Sequence, residues 1–457
     1  MTLLPVAVLL LLLARLDRRT RGPLTIFAVA WLVAIVPIGI GLIHYNSLDE
    51  TDYSYPLALS GFLGCFVAGA GLYQLAPRTP APPPDAARVD AEFARAFAIA
   101  RLVWWVAIAG AGCAIVDFAL LGGEGLSDLA SLRDTIVERK SASIFAQLSS
   151  VMTWGCLYCY IFALAYRTRL HRGQFAAMIV PVLGYFLLSV VSAGRQAAFQ
   201  IVLVTILTLV VVGARARAAR LTPRPAGKPR SSRGLVVAVV TVMGGYMGFI
   251  AVARASNDVT DIKADILASL FDFRLAEPVA LGLAALPDGL RSAIVEALVY
   301  FTHSIWLFQK FLGLSWPQLY YGGFTFPFVF RQIQGFTGLS PVDGLAGRVS
   351  TINAAGFIGA GWVTAIASYI QDAGIPGAAA ILAVTGYYSA SVWRRAVSGA
   401  NFHLLVVAVL VATAIVYLPL IPATSDTNLF LLWLFALAAG RVHGRTVRPS
   451  VPALASA

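Results

Sequence analysis

Long apolar runs separated by short arginine-rich segments constrain this chain more than any other feature. About 20 apolar residues in a row cross a bilayer as a helix, because in lipid every backbone N–H and C=O must find its partner within the segment. Such runs lie near 2–14, 23–43, 56–76, 99–121, 146–166, 174–193, 196–213, 234–253, 375–393, 402–421 and 427–440. Only 12% of the 457 residues are charged, against about 25% in soluble domains. The mean hydropathy is +0.79. The expectation is an all-α, polytopic membrane bundle of about eleven spans.

Basic residues cluster between the runs, at Arg15 to Arg21, Arg78 to Arg101, Arg167 to Arg172, Arg215 to Arg233, Arg394–Arg395 and Arg441 to Arg448. Cytoplasmic loops carry the excess of Lys and Arg, so this spacing is a topology signal. It also accounts for the net charge of +12 without nucleic acid, for which no motif is present. Two Pro- and Arg-rich stretches, 77–90 and 214–233, read as flexible cytoplasmic linkers. The region 254–374 contains apolar stretches at 293–314 and 354–371 that resemble spans. Placing the whole region outside returns the later basic segments to the cytoplasm. That scheme puts about 23 Lys/Arg inside and about 11 outside. The expected organisation is an N-terminal bundle at 1–253, a large external loop at 254–374 with re-entrant or interfacial helices, and C-terminal spans with a cytoplasmic tail at 375–457. The N-terminal run lacks a basic start and a small-residue cleavage site, so it reads as a short first span. Cys65, Cys113, Cys156 and Cys159 all lie inside apolar runs, and the Cys156–Cys159 pair reads as small apolar residues on one helix face.

Five arginines fall on the external side. Arg195 sits in a tight turn between two spans, Arg254 at a span end, and Arg274, Arg331 and Arg348 in the large loop. A guanidinium fork binds phosphate oxygens in a bidentate manner, so together they are candidates for an anionic group. At helical spacing, Glu296, Tyr300, His303 and Lys310 form a polar stripe. Its sharper reading is a wall of a substrate cavity, with His303 as a base near neutral pH. Asp272, Glu277 and Asp372 are the acidic candidates for base work. No HExxH, DxD or Cys/His set suggests a metal, and no cofactor is expected. Trp306, Trp316, Tyr320, Tyr321 and Trp362 enrich the external region in aromatics. These are belt residues by default, some of them available to stack on sugar faces.

The turn Ser192-Ala-Gly-Arg195-Gln-Ala-Ala-Phe199, the large loop two spans later, and the segment from Thr364 through Tyr369 and Asp372-Ala-Gly374 to Gly377 resemble the oligosaccharide repeat-unit polymerases, the O-antigen polymerase (Wzy) family. Here Asp-Ala-Gly replaces the family's more usual Asp-aromatic-Gly. The His-Asn pair of the related ligases is missing from the final loop segment. The resemblance implies a GT-C-like glycosyltransferase of the bacterial inner membrane, acting in surface polysaccharide and lipopolysaccharide synthesis. It would join undecaprenyl-pyrophosphate-linked units at the periplasmic face by inverting, metal-independent transfer. The five arginines would stabilise the leaving pyrophosphate, while a carboxylate or His303 takes the acceptor proton. Tyr369 would belong to the substrate cavity beside Glu296 and Tyr300. A chain-length-regulating co-polymerase is an implied partner, together with membrane lipids. An O-antigen ligase or another polyprenyl-linked glycosyltransferase, and a flippase or transporter of the same lipids, stand as alternatives.

Overall fold

The computed structural model describes residues 3–16, 22–46, 53–76, 86–120, 143–191, 196–220, 234, 237–242, 244–246, 248, 273–313, 319, 321–330 and 364–446. The main elements are α1 (Leu4–Leu16), α2 (Pro23–Gly39), β1 (Ile43–Tyr45), α3 (Ser54–Leu75), α4 (Ala86–Leu120), α5 (Ile144–Met152), α6 (Trp154–Ala165), α7 (Arg172–Val191) and α8 (Gln196–Arg220). After these come β2 (Phe273–Leu275), α9 (Glu277–Ala284), α10 (Asp288–Leu312), α11 (Ala365–Ser398), α12 (Phe402–Tyr417) and α13 (Thr427–Thr446). Among the described residues, five stretches are long and apolar enough to cross a membrane: Ser54–Leu75, Ala87–Asp117, Ile144–Ala165, Gln196–Ala218 and Ala365–Ser398. Shorter apolar helices accompany them, α2 and α12 among them.

Several helix ends differ from the sequence expectation, each for a tertiary reason. Helix α4 starts at Ala86, inside the expected linker 77–90. Its first turns hold partners: Asp90 pairs with Arg169 at 2.6 Å, and the Glu92 carboxylate accepts the Phe402 N–H at 2.6 Å. Helix α8 runs on to Arg220, into the expected linker 214–233. Arg215 there donates to the carbonyls of Ala396 (3.1 Å) and Asn401 (3.2 Å), on either side of the end of α11 at Ser398. The run 146–166 breaks at Thr153, whose hydroxyl lies 2.9 Å from the Ser149 carbonyl and 2.8 Å from Asn428 Oδ1.

Helices α3 and α11 form the closest packing in the bundle. A Cβ on Gly69 would stand 1.9 Å from the Ala383 carbonyl oxygen, and one on Gly386 would stand 2.0 Å from that of Phe66. Small residues let the two backbones touch, a packing favoured where lipid offers no hydrophobic driving force between helices. Helix α11 is bent at Gly374, whose φ of 71° suits glycine. The arm before the bend is N-capped by Thr364, and residues 364–372 are all buried. The end of the expected loop 254–374 is therefore a packed helical arm continuous with the span that follows.

Hydrogen bonds sort the connections into two ends. At one end β1 pairs with β2, antiparallel, with His44 opposite Arg274. At the same end Ala365 N donates to Leu418 O at 3.0 Å, and Gln196 reaches Asp426. At the other end lie the Arg169–Asp90, Glu92–Phe402 and Arg215–Asn401 contacts. Helix α10 packs against α2 and α3. Tyr45 of β1 meets Thr302 (2.7 Å) and stacks on Trp306 at 5.5 Å.

Candidate functional site

Beside the bend in α11 lies a cavity of about 920 Å³ between α11, α12, α13 and residues 319, 321, 322, 325 and 326. The rest of its lining is mainly apolar, with Ile381, Val384, Leu410, Val411, Ala414 and Trp433, interrupted along α11 by Thr385, Tyr388 and Ser389. Its collar is polar, with Tyr321, Thr325, Tyr369, Asp372 and Thr424. From Asp372 the lining continues along α11 to Ser389, roughly 25 Å at helical rise.

Asp372 organises the collar. Its Oδ1 accepts the Phe324 N–H at 3.0 Å, and its Oδ2 accepts both the Thr325 N–H (2.7 Å) and the Thr325 hydroxyl (2.6 Å). Its backbone carbonyl accepts the Tyr321 N–H at 3.0 Å. The Thr424 hydroxyl in turn donates to the Thr325 carbonyl, joining this loop to the α12–α13 connection. A carboxylate offers about four acceptor positions. Among the described residues, these three donors leave Oδ1 one position for an incoming hydroxyl. Asp372 is thus both the clamp of the loop and a group on the cavity wall.

A second polar cluster braces the neighbouring helix start. The Asp426 carboxylate accepts the side-chain amides of Gln196 (2.5 Å) and Gln200 (2.6 Å) and the Leu429 N–H (3.0 Å), which caps α13. The Tyr185 hydroxyl donates to Gln200 Oε1 at 2.5 Å. Burial pushes the Asp426 carboxyl above its ordinary value, opposed by these donated hydrogen bonds. The Tyr388 hydroxyl, on the apolar side of the cavity, approaches Trp433 without a hydrogen bond of ordinary geometry.

Of the residues expected from sequence, the structure brings Tyr369 and Asp372 together on the cavity wall. His303 is buried in α10, with Nδ1 2.8 Å from the Val299 carbonyl. A carbonyl only accepts, so Nδ1 carries the proton and Nε2 is the basic nitrogen. His303 does not line this cavity. Neither do Glu296, half-buried on α10, and Tyr300, whose ring centroid lies 6.2 Å from that of His303. Arg274 and Glu277 are exposed on β2 and the first turn of α9, and neither is among the residues lining the cavity. Asp272, Arg195, Arg254, Arg331 and Arg348 lie outside the described residues. Among the described lining residues none is basic. Thr325, Thr424 and Asp426 were not singled out by sequence reasoning. Asp426 carried a weak signal, an N-capping residue directly before the last apolar run.

No protein-family model, curated protein or solved structure matches this chain.

Proposed function

We propose that this chain is a polymerase of polyprenyl-pyrophosphate-linked oligosaccharide units, acting on the external side of the bacterial inner membrane. One observation carries the reading. The segment 364–377, which resembles the polymerase family, supplies Tyr369 and Asp372 to a cavity that is polar at its collar and apolar behind it. An amphiphile with a sugar head and an isoprenoid tail suits that division.

In the proposed reaction, an acceptor sugar hydroxyl attacks the anomeric carbon of the donor. The bond from that carbon to the pyrophosphate oxygen breaks with inversion, and polyprenyl pyrophosphate leaves. Asp372 Oδ1, with its remaining acceptor position, is the best-placed described group to take the hydroxyl proton. His303 is not placed for that step. Arg195 is bonded in sequence to Gln196, which Asp426 holds, and remains the first choice for stabilising the leaving group. The apolar wall favours a polymerase over a flippase, because a hydrated glycan crossing it would lose hydrogen bonds at about 1–3 kcal/mol per group.

In cells, Arg195→Ala, Asp372→Asn and the cavity-filling Ala414→Trp should each leave single repeat units in place of polymer at wild-type protein levels. Normal polymer in all three would refute the assignment.

A further inference from the structure

Tyr321 is the one non-glycine residue with positive φ among the described residues, at 48°, and Gly322 beside it has φ 99°. These φ values match the two central residues of a type I′ turn, where Asn-Gly is the usual pair. A tyrosine in the first position is poorly suited to its backbone, so the turn gains nothing from this side chain. The residue is 80% exposed and lines the collar of the cavity. Its base is rigid: Tyr321 N is held by the Asp372 carbonyl, and the next turn by the Asp372 carboxylate. The tyrosine therefore presents an open aromatic face at a fixed place beside the polar group of the site.

Resting on the reading of the cavity as a glycan-polymerising site, we infer that Tyr321 is the sugar-stacking platform of the acceptor glycan. The electron-rich face of an aromatic ring attracts the C–H-bearing face of a pyranose. A platform at the collar orients the acceptor so that its hydroxyl meets Asp372.

The test uses the full chain in nanodiscs and a lipid-free probe, the oligosaccharide released by mild acid from the host's lipid-linked repeat units. Saturation-transfer NMR reads its binding to wild type, Tyr321→Phe, Tyr321→Trp and Tyr321→Asn. Asparagine suits the left-handed backbone, so Tyr321→Asn should unfold at or above the wild-type temperature and any loss belongs to the ring. The expected result is about tenfold weaker binding by Tyr321→Asn, with Tyr321→Phe and Tyr321→Trp within about threefold of wild type. Equal binding by Tyr321→Asn, as for a ring that merely sits at the membrane interface, overturns the inference. So does a wild type that does not bind the probe. Ring-dependent binding by a wild type that makes no polymer would keep the platform and refute the polymerase reading instead.

Discussion

Asp372 shows how one side chain serves both structure and chemistry. Buried at 4% exposure, its carboxylate meets three donors of the 321–326 loop. Hydrogen bonds to a charged group contribute about 1.5–3 kcal/mol each. Asp372→Ala should therefore unfold several degrees below wild type and expose the loop to limited proteolysis. Asp372→Asn retains an acceptor oxygen, so it should keep most of that stability while losing activity. A stable, active Asp372→Ala would remove the residue from the site. The glycines of the α3–α11 contact make a second case. Gly→Ala inside a helix ordinarily gains about 1 kcal/mol. At Gly386 a Cβ would stand 2.0 Å from the Phe66 carbonyl oxygen, and overpacking costs about 1–3 kcal/mol. The clash should win, and Gly386→Ala should lower the melting temperature of the detergent-solubilised protein. Tyr369 and Asp372 were legible because they stand in a compact motif. Thr325 and Asp426 were not, because their partners are distant in the chain; Gln200 and Asp426 are 226 residues apart.

At the scale of elements, the apolar runs announced the helices, while their ends were set by contacts that no local pattern records. Composition alone makes 86–90 and 214–220 look like linkers. Glu92 at the Phe402 amide and Arg215 at the end of α11 account for the extra turns. The bend at Gly374 was visible only as a glycine, since its meaning depends on the arm 364–372 being buried. Alanine at φ 71° costs about 1–2 kcal/mol. Gly374→Ala should straighten α11, displace Asp372 and reduce activity more than stability, as seen by comparing turnover with melting temperature. The Asp426 brace makes a pH prediction. Its folded carboxyl titrates above the unfolded one, so the folded state holds the proton more tightly. That contribution to stability is full below the ordinary carboxylate value and is lost as pH rises through the folded value. As pH rises above the ordinary carboxylate range, the melting temperature of wild type should fall relative to that of Asp426→Asn. Parallel curves would mean that the carboxyl is not shifted.

At the scale of the molecule, the contacts group the described connections. The segments around His44, Arg274, Leu418 and Asp426 meet at one end, and those around Asp90, Arg169, Arg215 and Asn401 at the other. A polytopic helical membrane protein was therefore legible from the apolar runs. The cavity was not, because its wall joins α11, α12, α13 and residues near 319–326 across the 114 positions from Leu319 to Trp433. The central claim is that this cavity joins lipid-linked glycans. The most direct measurement supplies the purified chain, in nanodiscs with a metal chelator, with polyprenyl-pyrophosphate-linked repeat units and no other acceptor. A ladder of polymers with stoichiometric release of polyprenyl pyrophosphate, lost in Asp372→Asn, is the predicted result. Repeat units that remain single, or that only change leaflet in liposomes without forming bonds, would contradict it.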